Sequence, residues 1–178
     1  MSNLYTPPDD KANSYVSLDE ANAYFYGVIK SDFWPSSDAY EDSEDVILKK
    51  EAALLESRRT LDRLFGWFGD IADFNQVLRW PRTGVYDLDE RLIPNDTVPE
   101  QIKNSQCDLA LYLLQSGGLN VSDSNLTALK VGPIGLNFST DVGVTVGIPD
   151  FIINSLKSFG KYLGPVNNQI KNSNSIRS

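Results

Sequence analysis

The stretch that decides the fold runs from Leu78 to Leu114 and reads LRWPRTGVYDLDERLIPNDTVPEQIKNSQCDLALYLL. Its first half contains prolines and a glycine but keeps several apolar side chains, a pattern typical of a structured loop rather than a linker. Its second half begins with the T-x-x-E pattern of Thr97–Glu100, a capping box in which a hydroxyl and a carboxylate satisfy backbone N–H groups at a helix start. The sequence therefore predicts a rigid loop leading into a helix over residues 98–115.

Three further helices are predicted around this one. Ser17–Glu20 forms a second capping box, which opens a short helix that ends near Gly27. Apolar residues at helical spacing predict a long helix over about 43–65. Asp150 is the expected N-cap of a last amphipathic helix, which continues to residue 163.

The segment between residues 126 and 146 changes period. Apolar residues there alternate with polar residues or glycine, which predicts strands. We interpret them as a β-hairpin or small meander with turns near Gly132-Pro133 and near Thr140-Asp141. So small a sheet is barely stable alone and needs a covering helix or a neighbouring subunit.

The two ends of the chain are predicted to be extended arms. Residues 1–14 form a leader that orders only against another surface. Residues 164–178 are rich in Asn and Ser and form a mobile tail unless a partner orders them. The predicted fold is mainly α: a small bundle of about four helices over residues 15–163, with the inserted hairpin and the two arms.

The composition offers few candidate residues for catalysis or metal binding. The chain contains no histidine, which removes the commonest general base and metal ligand. Cys107 lies among apolar residues of the central helix, as a buried structural thiol does. The acids Asp87, Asp89 and Glu90 lack the spacing of a calcium-binding loop, and the glycines form no nucleotide-binding motif. We expect no enzyme activity, no catalytic residue, no metal and no cofactor.

Charge is unevenly distributed along the chain. The formal net charge is −8, which disfavours broad attraction to phosphate backbones. Residues 1–56 hold twelve acids and four lysines, whereas the chain after Asp150 holds cations and no acid. Such a polarised chain suits head-to-tail contacts, or contacts with two different partners. No apolar run approaches the roughly 20 residues of a membrane helix, so we expect no membrane partner.

One cluster could contact nucleic acid. Arg79, Trp80, Arg82 and Tyr86 place cations beside aromatic rings, as proteins that stack on unpaired bases do. The structural alternative is that Trp80 fills the core while the arginines pair with acids such as Asp87 or contact a neighbouring subunit. The net charge favours this alternative.

Several motifs together resemble one protein family. They are YVSLDEANAYF at 15–25, RWPRTGVYD at 79–87, LIP at 92–94, TVPEQIKNSQCDLAL at 97–111 and KVGPIGLNF at 130–138. These segments are similar to the DnaT-like single-stranded-DNA-binding proteins of tailed phages. The resemblance covers residues 14–163 and leaves out most of the leader and the tail.

The resemblance implies a structural role in the virion. Members of that family resemble head-tail connector, or adaptor, proteins, which are mainly α-helical subunits that form a ring, usually of twelve copies, between portal and tail. The implied location is the virion neck, after synthesis in the host cytoplasm. The implied partners are copies of this chain, the portal protein, a tail or nozzle protein, and the double-stranded genome, which passes without specific binding.

Two sets of residues follow from these functional hypotheses. In the connector hypothesis the tail docks on the portal through Ile170, Lys171, Ile176 and Arg177, which form two apolar-cationic pairs. The alternative is a DnaT-like binder of single strands that uses Trp80 and Arg82 for contact, with Arg79 and Tyr86 beside them.

Overall fold

The computed structural model describes residues 2–28, 31–36, 43–116, 128–131, 134–137 and 148–164. The chain divides into two compact units. The first comprises residues 1–120 and 148–163, and the second comprises residues 121–147 and 164–178.

The described part of the first unit is mainly helical, as the sequence predicts. Its α-helices are α1 (Leu18–Tyr26), α2 (Glu44–Leu64), α3 (Glu100–Ser116) and α4 (Asp150–Leu156), and a 3-10 turn covers Ser31–Phe33. Short strands connect them: β1 (Phe65–Trp67), β2 (Asp70–Ile71), β3 (Arg82–Thr83) and β6 (Gly160–Tyr162). The predicted fold class, mainly α with about four helices, is confirmed.

Helix α1 begins at the predicted capping box. The Glu20 backbone N–H donates to Ser17 Oγ at 3.1 Å, and the Ser17 N–H donates to Glu20 Oε2 at 2.7 Å. Both contacts satisfy N–H groups of the first turn or its cap. The helix closes on Gly27, as predicted.

Helix α3 is the centre of the first unit. It packs against α2 and α4 and contributes to two clusters of buried apolar residues. Ile102 and Leu109 lie in the cluster that also holds Trp80, whereas Cys107 and Ala110 lie in the cluster around Phe25. Because α3 carries apolar residues on two sides, both of these sides are buried.

The start of α3 differs from the prediction. The helix begins at Glu100, and the Pro99 carbonyl accepts the N–H groups of Ile102 and Lys103 at 3.0 and 3.2 Å. The Thr97 hydroxyl donates to Asp96 Oδ1 at 3.0 Å. The Thr97 backbone N–H donates to the Pro94 carbonyl at 3.2 Å, so the N–H group that the Glu100 side chain was predicted to satisfy has a backbone partner instead.

The last helix is shorter than predicted. The prediction of helix up to residue 163 is wrong beyond Leu156, because residues 160–162 form β6, which pairs antiparallel with β1. Gly160 lies opposite Trp67, and a Cβ there would come within 3.1 Å of the Gly66 carbonyl oxygen. The predicted N-cap is also displaced by one residue, since Asp150 is the first helical residue and Pro149 precedes it.

The described part of the second unit is a two-stranded hairpin. Strands β4 (Ala128–Val131) and β5 (Ile134–Asn137) are antiparallel, with Val131 opposite Ile134. This register joins the strands across positions 132 and 133, so the predicted hairpin is confirmed. The second predicted turn, near Thr140-Asp141, lies outside the described residues.

The predicted leader packs on its own chain. Asn3 N donates to Glu51 Oε1 of α2 at 2.7 Å, and Leu4 and Ala12 are buried. The Asn13 side chain accepts from Tyr5 N and donates to Asn3 O, both at 2.9 Å. The leader is therefore ordered by contacts within the first unit, to which it belongs. The boundaries predicted for the leader and for the tail stay predictions.

In the parts of the chain that the structure describes, no helix is both long enough and apolar enough to cross a membrane.

Candidate interaction surface

The WPR-containing loop is closed by a short β-pair. Strand β2 pairs antiparallel with β3, with Asp70 opposite Thr83 and Ile71 opposite Arg82. Gly69 enters the pair with φ +67°, and a Cβ there would lie 2.2 Å from the Thr83 carbonyl oxygen. This position requires glycine for both its backbone angle and its space. The pair thus closes a loop over residues 72–81, and we call residues 68–83 the WPR loop.

Arg82 fixes this loop from the inside. Its side chain is only 9% exposed. The guanidinium donates to three backbone carbonyls: from Nε to Phe68 O at 2.6 Å, from Nη1 to Arg79 O at 3.1 Å, and from Nη2 to Gly69 O. Burial lowers the pKa of Arg82, while the nearby Asp70 carboxylate opposes that shift. Arg82 is a structural cross-link of the loop.

Trp80 fills the core below the loop. Its side chain is 0% exposed and packs edge-to-face on Trp67 and Phe159, with ring centroids 6.0 and 6.1 Å apart. The indole N–H finds no hydrogen-bond partner among the described residues. The ring is therefore not available for stacking on a base in this conformation.

The rest of the loop satisfies its own backbone. Gln76 Nε2 donates to the Leu78 and Pro81 carbonyls at 2.8 and 2.9 Å. Asp73 Oδ1 accepts from Asn75 N at 2.8 Å, and Asp73 N donates to Gln76 Oε1 at 3.0 Å. The loop is therefore ordered by its own side chains as well as by the packing of Trp80.

Four large apolar residues between Trp67 and Leu78 are exposed. Phe68, Ile71, Phe74 and Val77 are 47%, 40%, 91% and 67% exposed, and we call these four residues the apolar patch. Exposed apolar side chains grouped on one surface mark an interaction site more often than scattered ones do. The sequence interpretation missed this patch, because these residues show neither helical nor strand periodicity. The signal that could have indicated it was the presence of two phenylalanines, Phe68 and Phe74, between Trp67 and the WPR motif.

A cavity of about 290 Å³ lies between this loop and the leader. Its lining includes the carboxylates of Asp9, Asp10, Asp73 and Asp96, but no lysine or arginine. Val77 also lines it, so the cavity adjoins the apolar patch. We call this cavity the acidic cavity.

Two acids of the cluster Asp87, Asp89 and Glu90 pair with a neighbouring arginine. Arg91 pairs with Asp87 and with Asp89, each at 2.8 Å. The backbone N–H of Arg91, together with its guanidinium, lowers the pKa of Asp87. Asp87 therefore pairs with Arg91, not with Arg79 or Arg82 as the structural alternative expected. Within the described ranges, no group of three potential metal ligands is found.

The buried ionisable groups have structural partners. Asp62 accepts hydrogen bonds from the Tyr15 hydroxyl and, at 3.3 Å, from Trp67 Nε1, and it pairs with Arg58 at 3.5 Å. Burial nevertheless raises the pKa of Asp62. Burial, with the nearby Asp108, raises the pKa of the Cys107 thiol to about 12. A buried thiol with so high a pKa is a poor nucleophile, which agrees with the structural role predicted for Cys107.

A comparison with protein-family models gives one match. The model described as "Putative DnaT-like ssDNA binding protein" matches residues 6–151. The chain belongs to this family. Comparisons with curated proteins and with solved structures give no match. The family match spans the WPR loop, the apolar patch and the central helix, but it ends before β6.

The predicted DNA contacts of this DnaT-like chain fall into two groups. Trp80 and Arg82 are buried, whereas Arg79 and Tyr86 are exposed. The four side chains therefore do not form one accessible surface. The predicted portal-docking residues of the tail, Ile170, Lys171, Ile176 and Arg177, lie outside the described residues.

Proposed function

We propose that this member of the DnaT-like family is a structural protein, a head-tail connector that forms a ring between the portal and the tail of a tailed bacteriophage. One observation carries the proposal: the WPR loop is fixed inside by Arg82 and Trp80 and exposes the four residues of the apolar patch. A surface that is ordered before binding loses little entropy when a protein partner covers it.

The charge distribution supports ring assembly. A ring uses heterologous contacts, in which one surface of a subunit meets a different surface of the next. This chain holds most of its acids before α3 and only cations after Asp150. Opposite charges at separate positions of the chain are compatible with such head-to-tail contacts. A ring of twelve copies is the number that the family resemblance implies.

The proposal assigns a role to each part of the chain. The helical first unit builds the ring wall, and the hairpin packs on a neighbour or faces the tail protein. The C-terminal tail docks on the portal through Ile170, Lys171, Ile176 and Arg177. The negative net charge lets the double-stranded genome pass without being held.

A portal-binding assay tests this assignment. Deleting residues 166–178 is expected to abolish capture of the protein by immobilised portal, while circular dichroism and the thermal melt stay unchanged. The substitution Ile170→Ser with Ile176→Ser should give most of that loss, and Asn167→Ser with Asn168→Ser is the matched control. Unchanged capture of the deletion variant would reject the docking tail. Absence of rings in negative-stain images of the protein with portal would reject the connector.

The family match favours a second candidate function, the binding of single-stranded DNA. The family description names that activity and does not mention a connector. Arg79 and Tyr86 are exposed and provide one cation and one ring for contact with unpaired bases. Trp80 and Arg82 could contribute only after the loop had opened.

An anisotropy titration with a labelled oligonucleotide distinguishes the two functions. The connector proposal expects no saturable binding at micromolar protein and physiological salt. Binding that weakens steeply with salt and is lost in Arg79→Ala and Tyr86→Ala would establish the second candidate. Arg59→Ala is the control, because Arg59 is an exposed cation on α2, paired only loosely with Glu56 at 3.7 Å.

A further inference from the structure

We propose that the apolar patch and the acidic cavity together bind a second copy of this chain, through the cationic surface at the end of α4 and along β6. The inference rests on the proposed ring function and deepens it, because it names the two surfaces that meet between neighbouring subunits.

The first surface combines apolar anchors with negative charge. Phe74 is 91% exposed although the loop that carries it is fixed by Gln76 and Arg82. Five acids belong to this surface: Asp70 beside the patch, and Asp9, Asp10, Asp73 and Asp96 at the cavity. The neighbouring exposed cations in these chain segments are two, Lys11 and Arg79. The surface is therefore acid-rich around a protruding aromatic ring.

The second surface has the opposite charge and its own apolar residues. Lys157 follows α4, and Lys161 lies in the middle of β6; both are exposed. Phe151 and Leu163 are 58% and 62% exposed. Side chains two residues apart on an extended chain point to the same side, so Lys161 and Leu163 form one cationic and apolar strip. The exposed Asp150 precedes Phe151, and the chain after it holds cations and no acid, so the cations Lys157 and Lys161 outnumber the one acid.

Complementarity identifies a second copy as the occupant. The acid-rich surface repels polyanions, so it is unsuited to DNA. A partner must bring cations beside apolar side chains, and the strip of Lys161 and Leu163 does so. Because each copy carries both surfaces, each copy can contact two neighbours, as the heterologous contacts of the proposed ring require.

Charge reversal tests the pairing. Self-association of the full-length chain is measured by sedimentation velocity from micromolar to millimolar protein. Asp73→Lys and Lys161→Glu are each expected to weaken it at least tenfold, because a like charge then faces the contact. The chain that carries both substitutions should regain association, and so should an equal mixture of the two single variants, since opposite charges again meet.

Further variants keep the test specific. Phe74→Ser should weaken association at least tenfold without any change of charge, as loss of an interface anchor does. Asp89→Lys and Lys49→Glu reverse exposed charges outside both surfaces and should leave association unchanged. Thermal melts confirm that each variant is folded.

Two outcomes would overturn the inference. Association that is insensitive to Asp73→Lys, Lys161→Glu and Phe74→Ser would show that copies meet through other surfaces, while the connector proposal would stand. A wild-type chain that stays monomeric throughout the concentration series would also reject this contact. The connector proposal is then judged separately, by portal capture and by imaging of the portal complex.

Discussion

Replacing Gln106 by leucine should cost the first unit a large part of its stability. Gln106 lies on α3 and is 0% exposed. Its Oε1 accepts from Tyr15 N at 2.9 Å, and its Nε2 donates to Ser14 Oγ at 2.7 Å and to the Leu54 carbonyl at 2.9 Å. One amide thus joins the leader segment, α2 and α3 inside the core.

The magnitude follows from the partners that leucine cannot satisfy. The Tyr15 N–H loses its acceptor in a buried site, which costs about 1–3 kcal/mol, and each of the other two lost bonds costs about 0.5–1.5 kcal/mol. Ser14 keeps its bond to the Val16 carbonyl, and the Leu54 carbonyl keeps the Ser57 hydroxyl. We therefore expect the free energy of unfolding to fall by about 3 kcal/mol.

Urea denaturation followed by circular dichroism measures this change. With a slope of about 1–3 kcal/mol per molar, the midpoint should fall by roughly 1–3 M. Gln115→Leu makes the same change at an exposed position of α3 and should stay within about 0.5 kcal/mol of wild type. If the Gln106→Leu midpoint matches that of Gln115→Leu, the buried amide does not join the three segments as argued.

Four further results are expected. Arg82→Lys should lower the free energy of unfolding by about 1–3 kcal/mol and make the loop protease-sensitive, because an ammonium group cannot span three carbonyls. Gly69→Ala should cost about 2 kcal/mol or more in urea denaturation, whereas Gly84→Ala, which has a similar φ but open space, should cost about 1 kcal/mol. The Cys107 thiol should react with a chromogenic disulfide only as the protein unfolds. Asp62→Asn should gain stability relative to wild type as pH rises from about 4 to 7.

The pH prediction follows from the direction of the shift. Because burial raises the pKa of Asp62 above its ordinary value of 3.8, the folded state holds that proton more tightly than the unfolded state does. The stability from this group is complete below pH 3.8 and is lost as pH rises through the folded pKa. Asparagine has no proton to lose there. A stability difference between Asp62→Asn and wild type that does not change with pH would contradict this account. For the glycine variants, equal urea midpoints of Gly69→Ala and Gly84→Ala would contradict the argument that space limits position 69.

Local signals in the sequence predicted the helices well. The Ser17–Glu20 capping box needs only residues within one turn, and the apolar stripes of α2 and α3 are read directly from spacing. The burial of Cys107 followed from its apolar neighbours on α3. Near Thr97 a local signal failed, because the helix begins two residues later than the capping box predicts and the Thr97 N–H donates to the Pro94 carbonyl.

The features missed were those that depend on distant residues. Residues 160–162 satisfy a helical pattern, yet they form β6 because β1 offers backbone partners almost a hundred positions earlier. The role of Arg82 could not be predicted from residue type, since its three acceptors are backbone carbonyls, which every residue carries. The apolar patch was missed because its residues show neither helical nor strand periodicity.

The pairing of β1 with β6 has a consequence for how the chain can vary. Residues 117–147 lie between α3 and α4 in the chain, and these two helices contact each other through Ile102, Ile152 and other buried apolar residues outside that segment. The free-energy cost of closing such a connection rises by only about 0.6 kcal/mol for each doubling of its length. New attachment sequences could therefore be grafted between α3 and α4 without any redesign of the core.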